Sequence, residues 1–92
     1  MLIVRRVIGK SMEPGLRHGN IVVARKHFFK IRPGDVVIAN INGMQVIKRV
    51  KYINSLNKIF LNSDNTAGTS STTWGLLPIT NIVGKVIYKI GK

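Results

Sequence analysis

The stretch "DVVIANINGMQVIKRVKYI", residues 35–53, contains two runs rich in Val and Ile on either side of Asn42-Gly43. β-Branched residues favour strands, and Asn-Gly tolerates the positive φ angles that a two-residue hairpin turn requires. The stretch therefore predicts an antiparallel hairpin made of strands 35–41 and 44–53.

Four further segments are short, rich in Val and Ile, and bounded by turn residues, which is typical of strands. They span residues 2–8, 20–26, 58–62 and 81–90. Residues 11–18 have room for one helical turn, and residues 62–73, "NSDNTAGTSSTT", predict a polar loop. The pattern predicts a small, mainly β, mostly antiparallel fold that occupies residues 1–92 as a single domain.

The charge is strongly unbalanced, because 15 Lys and Arg residues face only Glu13, Asp35 and Asp64, for a formal net charge of +12. Such a surface attracts nucleic acid, anionic lipid or acidic protein without specificity, and solubility is an equally good explanation of it. The basic residues are scattered, and Phe28-Phe29 is too small an aromatic group for a base-stacking platform. We therefore expect no specific nucleic-acid partner, whereas peripheral contact with an anionic membrane is compatible with the charge.

The sequence has no cysteine and only two histidines, at positions 18 and 27. Disulfides and thiolate metal sites are excluded, and with three carboxylates we expect no metal and no cofactor. We expect His18 and His27 to be solvated surface residues. No apolar stretch approaches the roughly 20 residues of a membrane-spanning helix, so we expect a soluble protein in the reducing cytoplasm.

Lys48 is unusual within the segment "MQVIKRV", because strand alternation puts it on the same face as Met44, Val46 and Val50. A lysine on an apolar face is costly while it is charged, so its pKa falls and its neutral amine becomes a competent general base. The alternative is that the side chain runs to the strand end and keeps its ammonium group in water.

Ser11 lies in "VIGKSMEPGLRHGN", residues 7–20, between Gly9 and Pro14-Gly15, just after an apolar run. A serine hydroxyl is a poor nucleophile until a neighbouring base removes its proton, and lysine supplies that base in a serine–lysine dyad. Spacing alone does not bring Ser11 and Lys48 together.

Four motifs in order resemble the signal peptidase I family of serine peptidases. They are "GKSMEPGLRHGNIVV" with a Ser-Met-x-Pro core, "IRPGDVVIAN" with its Arg-Pro-Gly-Asp turn, "VIKRV", and the closing "NSDN" and "WGLLPITNIVGKV". Together they cover almost the whole chain, which makes the ordered set far more specific than Ser-Met-x-Pro alone.

The resemblance implies the coiled, barrel-like β fold shared with the self-cleaving SOS repressors. It also implies a serine endopeptidase with Ser11 as nucleophile, Lys48 as general base and the Ser11 backbone N–H as oxyanion donor. The residues expected to support this site or line its cleft are Met12, Asp64, Ser70 and Ser71, with Phe28 and Phe29 placed either in the cleft or in the core. Asp64 alternatively caps the polar loop, as Asp35 is expected to cap the turn at Pro33-Gly34.

Two features depart from the family pattern. Many relatives carry a serine two residues before the nucleophile, where this chain has Gly9. Relatives commonly carry Ser-x-Asp-Ser-Arg before the closing aromatic-Gly, where this chain has "GTSSTTWG", so either Ser70 or Ser71 is left to hydrogen-bond Lys48.

Without the membrane anchor of secretory signal peptidases, the chain most resembles small processing peptidases such as those that mature nickel-type superoxide dismutase. That likeness implies a precursor protein as substrate, with small residues before the scissile bond and an N-terminal extension to be removed. Two alternatives are a self-cleaving repressor-like module, which needs a cleavable arm that we do not expect ahead of residue 2, and a non-catalytic basic domain that binds nucleic acid.

Overall fold

A computed structural model describes residues 1–26, 30–65 and 74–91. These residues form seven strands and one 3₁₀ turn over Ile79–Asn81. The strands are β1 (Leu2–Arg6), β2 (Ile21–Arg25), β3 (Val36–Ile41), β4 (Met44–Ile53), β5 (Lys58–Asn62), β6 (Leu77–Pro78) and β7 (Ile82–Ile90). All observed pairings are antiparallel, and they join the strands into one sheet in the order β1-β2-β7-β3-β4-β5-β6. The predicted mainly β, antiparallel fold is confirmed.

The β3–β4 hairpin forms where the sequence predicts it. Asn42 and Gly43 have φ angles of 52° and 80°, the left-handed pair that a tight hairpin turn of this type requires. Because the turn sets the register, Ile41 pairs with Met44 and Val37 pairs with Lys48.

The sheet is curled enough to cover two clusters of buried side chains, one on each face. Val37 and Ala39 of β3 belong to the first cluster, whereas Ile38 between them belongs to the second. All three side chains are fully buried, which explains why β3 reads as a continuous apolar run rather than an alternating one.

One end of β4 keeps a free edge within the described residues. β3 pairs with Met44–Arg49, but β5 joins β4 only from Arg49 onward. The curl brings this free edge opposite β1, the strand at the end of the sheet, and Arg5 Nε donates a hydrogen bond to Gln45 Oε1 at 2.8 Å across the gap. The sheet is therefore barrel-like and left open along one seam.

The observed strands differ from the predicted ones at the end of β1 and by one additional strand. The first strand ends at Arg6 rather than Ile8, although Val7 stays buried and its N–H donates to Asn20 O at 2.7 Å. The short strand β6 was not predicted, because it contains Pro78, a residue that ordinarily argues against a strand. As an edge strand, it tolerates a residue without an N–H.

No helix in the described ranges is long and apolar enough to cross a membrane. His27, Phe28 and Phe29 lie outside the described residues, and so do Ser70 and Ser71.

Candidate active site

Ser11 lies in the turn that follows β1, two residues after Gly9. Gly9 has a φ of 84°, a left-handed angle that strains any residue with a Cβ. Its N–H donates to Nδ1 of the exposed His18 at 2.9 Å, and the Leu16 N–H donates to Met12 O at 2.9 Å. The turn therefore has its own hydrogen bonds, and it presents Ser11 as a half-buried residue.

Met12 anchors this turn from below. Its side chain is 1% exposed and packs in the second buried cluster with Val7 and Leu16. Burying a methionine of this kind stabilises a fold by about 2 kcal/mol, so the residue after Ser11 holds the turn to the core.

Lys48 is the buried cation of the molecule's described part, with an exposed fraction of only 4%. It lies on the β4 face that also carries Val46 and Val50, as strand alternation predicts. Burial lowers its pKa, because an apolar environment penalises the ammonium form. Its Nζ donates a hydrogen bond to Ser63 Oγ at 2.9 Å and lies 5.8 Å from the centre of the Trp74 ring.

Ser11 and Lys48 line the same cavity, which occupies about 470 Å³ along the open seam between β1 and β4. The other lining residues are Arg6, Val7 and Ile8 after β1, Met12 in the turn, and Met44, Gln45, Val46 and Ile47 on β4. Consecutive residues of β4 contribute, because the cavity runs along the unpaired edge of the strand rather than over one face. The walls are mostly apolar, and the Ser11 hydroxyl and the Lys48 amine are among their polar groups.

Ser63 is a partner of Lys48 that the sequence analysis missed. It is 7% exposed and binds the Lys48 amine. Arg49 of β4 pairs with Asn62 of β5, so the following residue, Ser63, lies across from Lys48. A register irregularity between Val50 and Tyr52 hides this pairing from a residue count. The predicted partner of Lys48, either Ser70 or Ser71, lies outside the described residues.

Asp64, the residue after Ser63, pairs with Arg49 of β4. Its two carboxylate oxygens accept hydrogen bonds from Arg49 Nε at 2.7 Å and Nη2 at 2.8 Å. The pKa of Arg49 is raised, mainly by its hydrogen bond to Asp64. The pair lies at the end of the β4–β5 pairing, where Arg49 is opposite Asn62 and Ser63 follows.

Asp35 caps a turn, as predicted, since its Oδ2 accepts a hydrogen bond from the Arg32 N–H at 2.8 Å. The same carboxylate pairs with Lys85 Nζ at 3.3 Å. Within the described ranges, no group of three His, Cys, Asp or Glu residues could hold a metal ion.

Comparison with known protein families identifies the fold. A family model described as Peptidase S24-like matches residues 1–87, nearly the whole chain. The chain belongs to this family. A search of curated proteins found no match. The membership confirms the predicted relationship to serine peptidases of the signal peptidase and SOS-repressor type, while the likeness to nickel superoxide dismutase maturation enzymes stays a prediction.

Proposed function

We propose that this member of the Peptidase S24-like family is a serine endopeptidase that uses a Ser11–Lys48 dyad. The observation that carries the proposal is the burial of Lys48, 4% exposed, in the wall of the cavity that Ser11 also lines. A lowered pKa increases the fraction of neutral amine at a given pH, and the neutral amine is the form that activates a serine hydroxyl.

In this mechanism the neutral Lys48 amine takes the proton of the Ser11 hydroxyl, and Oγ attacks the scissile carbonyl carbon. The carbonyl oxygen becomes an oxyanion that the Ser11 backbone N–H stabilises. Collapse of the intermediate breaks the peptide C–N bond, and the Lys48 ammonium returns its proton to the departing amine. A water molecule that Lys48 deprotonates then attacks the acyl-enzyme, so that acid product and free Ser11 are released.

The open seam favours an extended peptide as substrate. Within the described residues, β1 and the first half of β4 each keep one unpaired edge beside the cavity. Unpaired edges bind extended chains through backbone hydrogen bonds. The resemblance to signal peptidases adds small side chains before the scissile bond. We therefore propose a precursor protein whose N-terminal extension is removed.

Cleavage of short peptides tests the proposal, with small residues placed before the scissile bond. We expect Ser11→Ala and Lys48→Ala each to lower kcat/KM by at least about 10³-fold, as in other nucleophile–base pairs. Ser55→Ala and Lys51→Ala are matched controls, because both residues are exposed and lie away from the cavity.

The rate should also rise with pH through the lowered pKa of Lys48, because only the neutral amine accepts the proton. Equal cleavage by wild type and both site variants excludes the dyad. Tight, salt-sensitive DNA binding without any proteolysis favours the non-catalytic alternative. Cleavage in cis alone, in a fusion carrying the target sequence, indicates a self-cleaving module instead.

A further inference from the structure

We propose that Asn65 is a positioning residue that orients the oxyanion-donating N–H of Ser11. This inference rests on the proposed function. Its basis is a pair of hydrogen bonds: Asn65 Nδ2 donates to Lys10 O at 2.9 Å, and the Asn65 backbone N–H donates to Ser11 O at 2.8 Å. One residue thus holds the carbonyls on both sides of the Ser11 Cα.

The Lys10 carbonyl and the Ser11 N–H belong to the same peptide unit. That unit is planar and trans in ordinary backbone, with C=O and N–H pointing in opposite directions. The Lys10 oxygen accepts the Asn65 bond beside a longer one, at 3.1 Å, from the Glu13 N–H within the turn. Fixing the Lys10 oxygen therefore fixes the direction of the Ser11 N–H. A hydrogen bond to the carbonyl also polarises the peptide and strengthens its N–H as a donor. Asn65 is therefore connected to the oxyanion donor through a single rigid group.

The second bond fixes the other side of the nucleophile. With Ser11 O held by the Asn65 N–H, the peptide between Ser11 and Met12 is oriented as well. Rotation about the backbone of Ser11 is then restricted from both ends, so its hydroxyl keeps one approach to the cavity. Oriented groups of this kind contribute to catalysis because reorganisation during the reaction is avoided.

Asn65 can do this because its own neighbours are anchored to β4. Ser63 binds Lys48 and Asp64 binds Arg49, and the next residue binds the turn of the nucleophile. The three consecutive residues Ser63, Asp64 and Asn65 therefore connect the base strand to the nucleophile turn, two elements more than thirty residues apart in the chain. Because Ser63 binds Lys48 and Asn65 binds the turn of Ser11, the contacts that position the two reacting groups lie only two residues apart in the chain.

The test compares Asn65→Ala with a matched change elsewhere. Asn81 Nδ2 also donates to a distant backbone carbonyl, Asn40 O, at 3.1 Å, and it does not line the cavity. We expect Asn65→Ala to lower kcat by about 10- to 100-fold with KM little changed, since the oxyanion forms only in the transition state. Asn81→Ala should leave kcat unchanged.

The pH profile separates this role from an effect through the base. In Asn65→Ala the apparent pKa in kcat should match that of wild type, because the variant leaves Lys48 and Ser63 in place. An unchanged kcat, or a loss that appears only as a higher KM, overturns the inference. A loss of kcat together with a shifted pKa overturns it too, because Asn65 would then act through Lys48.

A measurement without substrate keeps this inference separate from the proposed function. The backbone order parameter of the Ser11 N–H should fall from about 0.85, typical of rigid backbone, towards 0.6 in Asn65→Ala but not in Asn81→Ala. An unchanged order parameter contradicts the positioning role, whether or not the wild type cleaves peptides. Failure of the proposed function is recognised differently, by cleavage that does not depend on Ser11.

Discussion

Lys48 and Arg49 are neighbours on β4, yet their surroundings shift the pKa values of these two basic side chains in opposite directions. Lys48 is 4% exposed, and its amine meets a hydroxyl and an indole ring. Arg49 points to the other side of the strand and binds the Asp64 carboxylate through two nitrogens. Burial lowers the pKa of Lys48, whereas the hydrogen bond to Asp64 raises that of Arg49.

The difference shows what makes a basic side chain available as a base. A carboxylate partner favours the protonated form and keeps the cation as a structural ion pair. A buried amine whose partner is a hydroxyl has no opposite charge to offset the cost of desolvating its ammonium form, so its pKa falls. The two halves of β4 reinforce the contrast, because the half that ends at Lys48 keeps an open edge and the half that begins at Arg49 pairs with β5.

Replacing the amine of Lys48 with a guanidinium should have the largest effect on peptide cleavage. We expect Lys48→Arg to lower kcat/KM by about 10³-fold or more, because a guanidinium stays protonated at any working pH. Peptide cleavage measured from neutral to alkaline pH checks this. Activity that returns in Lys48→Arg at high pH would contradict the role of Lys48 as base.

A control for this experiment is Lys51→Arg on the paired half of β4. Lys51 is exposed, and its Nζ lies 5.9 Å from the centre of the Phe60 ring, an arrangement similar to that of Lys48 over Trp74. Because water solvates Lys51, the exchange should leave both cleavage and its pH profile unchanged.

The second effect is a pH-dependent stability that belongs to Lys48. Its pKa is lowered in the folded state, so between that pKa and the ordinary value of 10.5 the unfolded chain binds more protons. The free energy of unfolding should therefore rise with pH across this window, with a slope of up to about 1.4 kcal/mol per pH unit from this group. Below the folded pKa the slope from Lys48 vanishes.

Denaturant unfolding of wild type and Lys48→Met at several pH values isolates this contribution, since the other titrating groups are common to both proteins. Lys48→Met should lose the rise that wild type shows. Parallel curves for the two proteins would mean that Lys48 keeps an ordinary pKa in the folded state.

The smallest effect concerns the ion pair of Arg49. The side chains of Arg49 and Asp64 are 39% and 21% exposed, so solvent screens their attraction. The pair therefore contributes about 1 kcal/mol to the free energy of unfolding. We expect Asp64→Asn to lower the free energy of unfolding, measured by denaturant unfolding at neutral pH, by that amount. A loss of more than about 3 kcal/mol would show that the pair behaves as a fully buried one.

Much of the site was predictable from the sequence because it depends on local patterns. Strand alternation put Lys48 among apolar residues, and glycine and proline marked the turn that carries Ser11. Ser63 and Asn65 were not predicted, since each acts through a partner that only strand register and loop placement bring near. The bulge in the β4–β5 pairing shifts that register, and nothing in the sequence of either strand reports it.

By itself, the sequence determined most of the strands, the Asn42-Gly43 hairpin and the position of Lys48 on an apolar strand face, because β propensity, positive φ and strand alternation are properties of a few adjacent residues. The tertiary structure alone decided that β4 keeps one open edge opposite β1, and that Ser63, Asp64 and Asn65 connect β4 to the turn that carries Ser11. Those features depend on how a twisted sheet curls and on long-range pairing, which short stretches of chain do not encode separately.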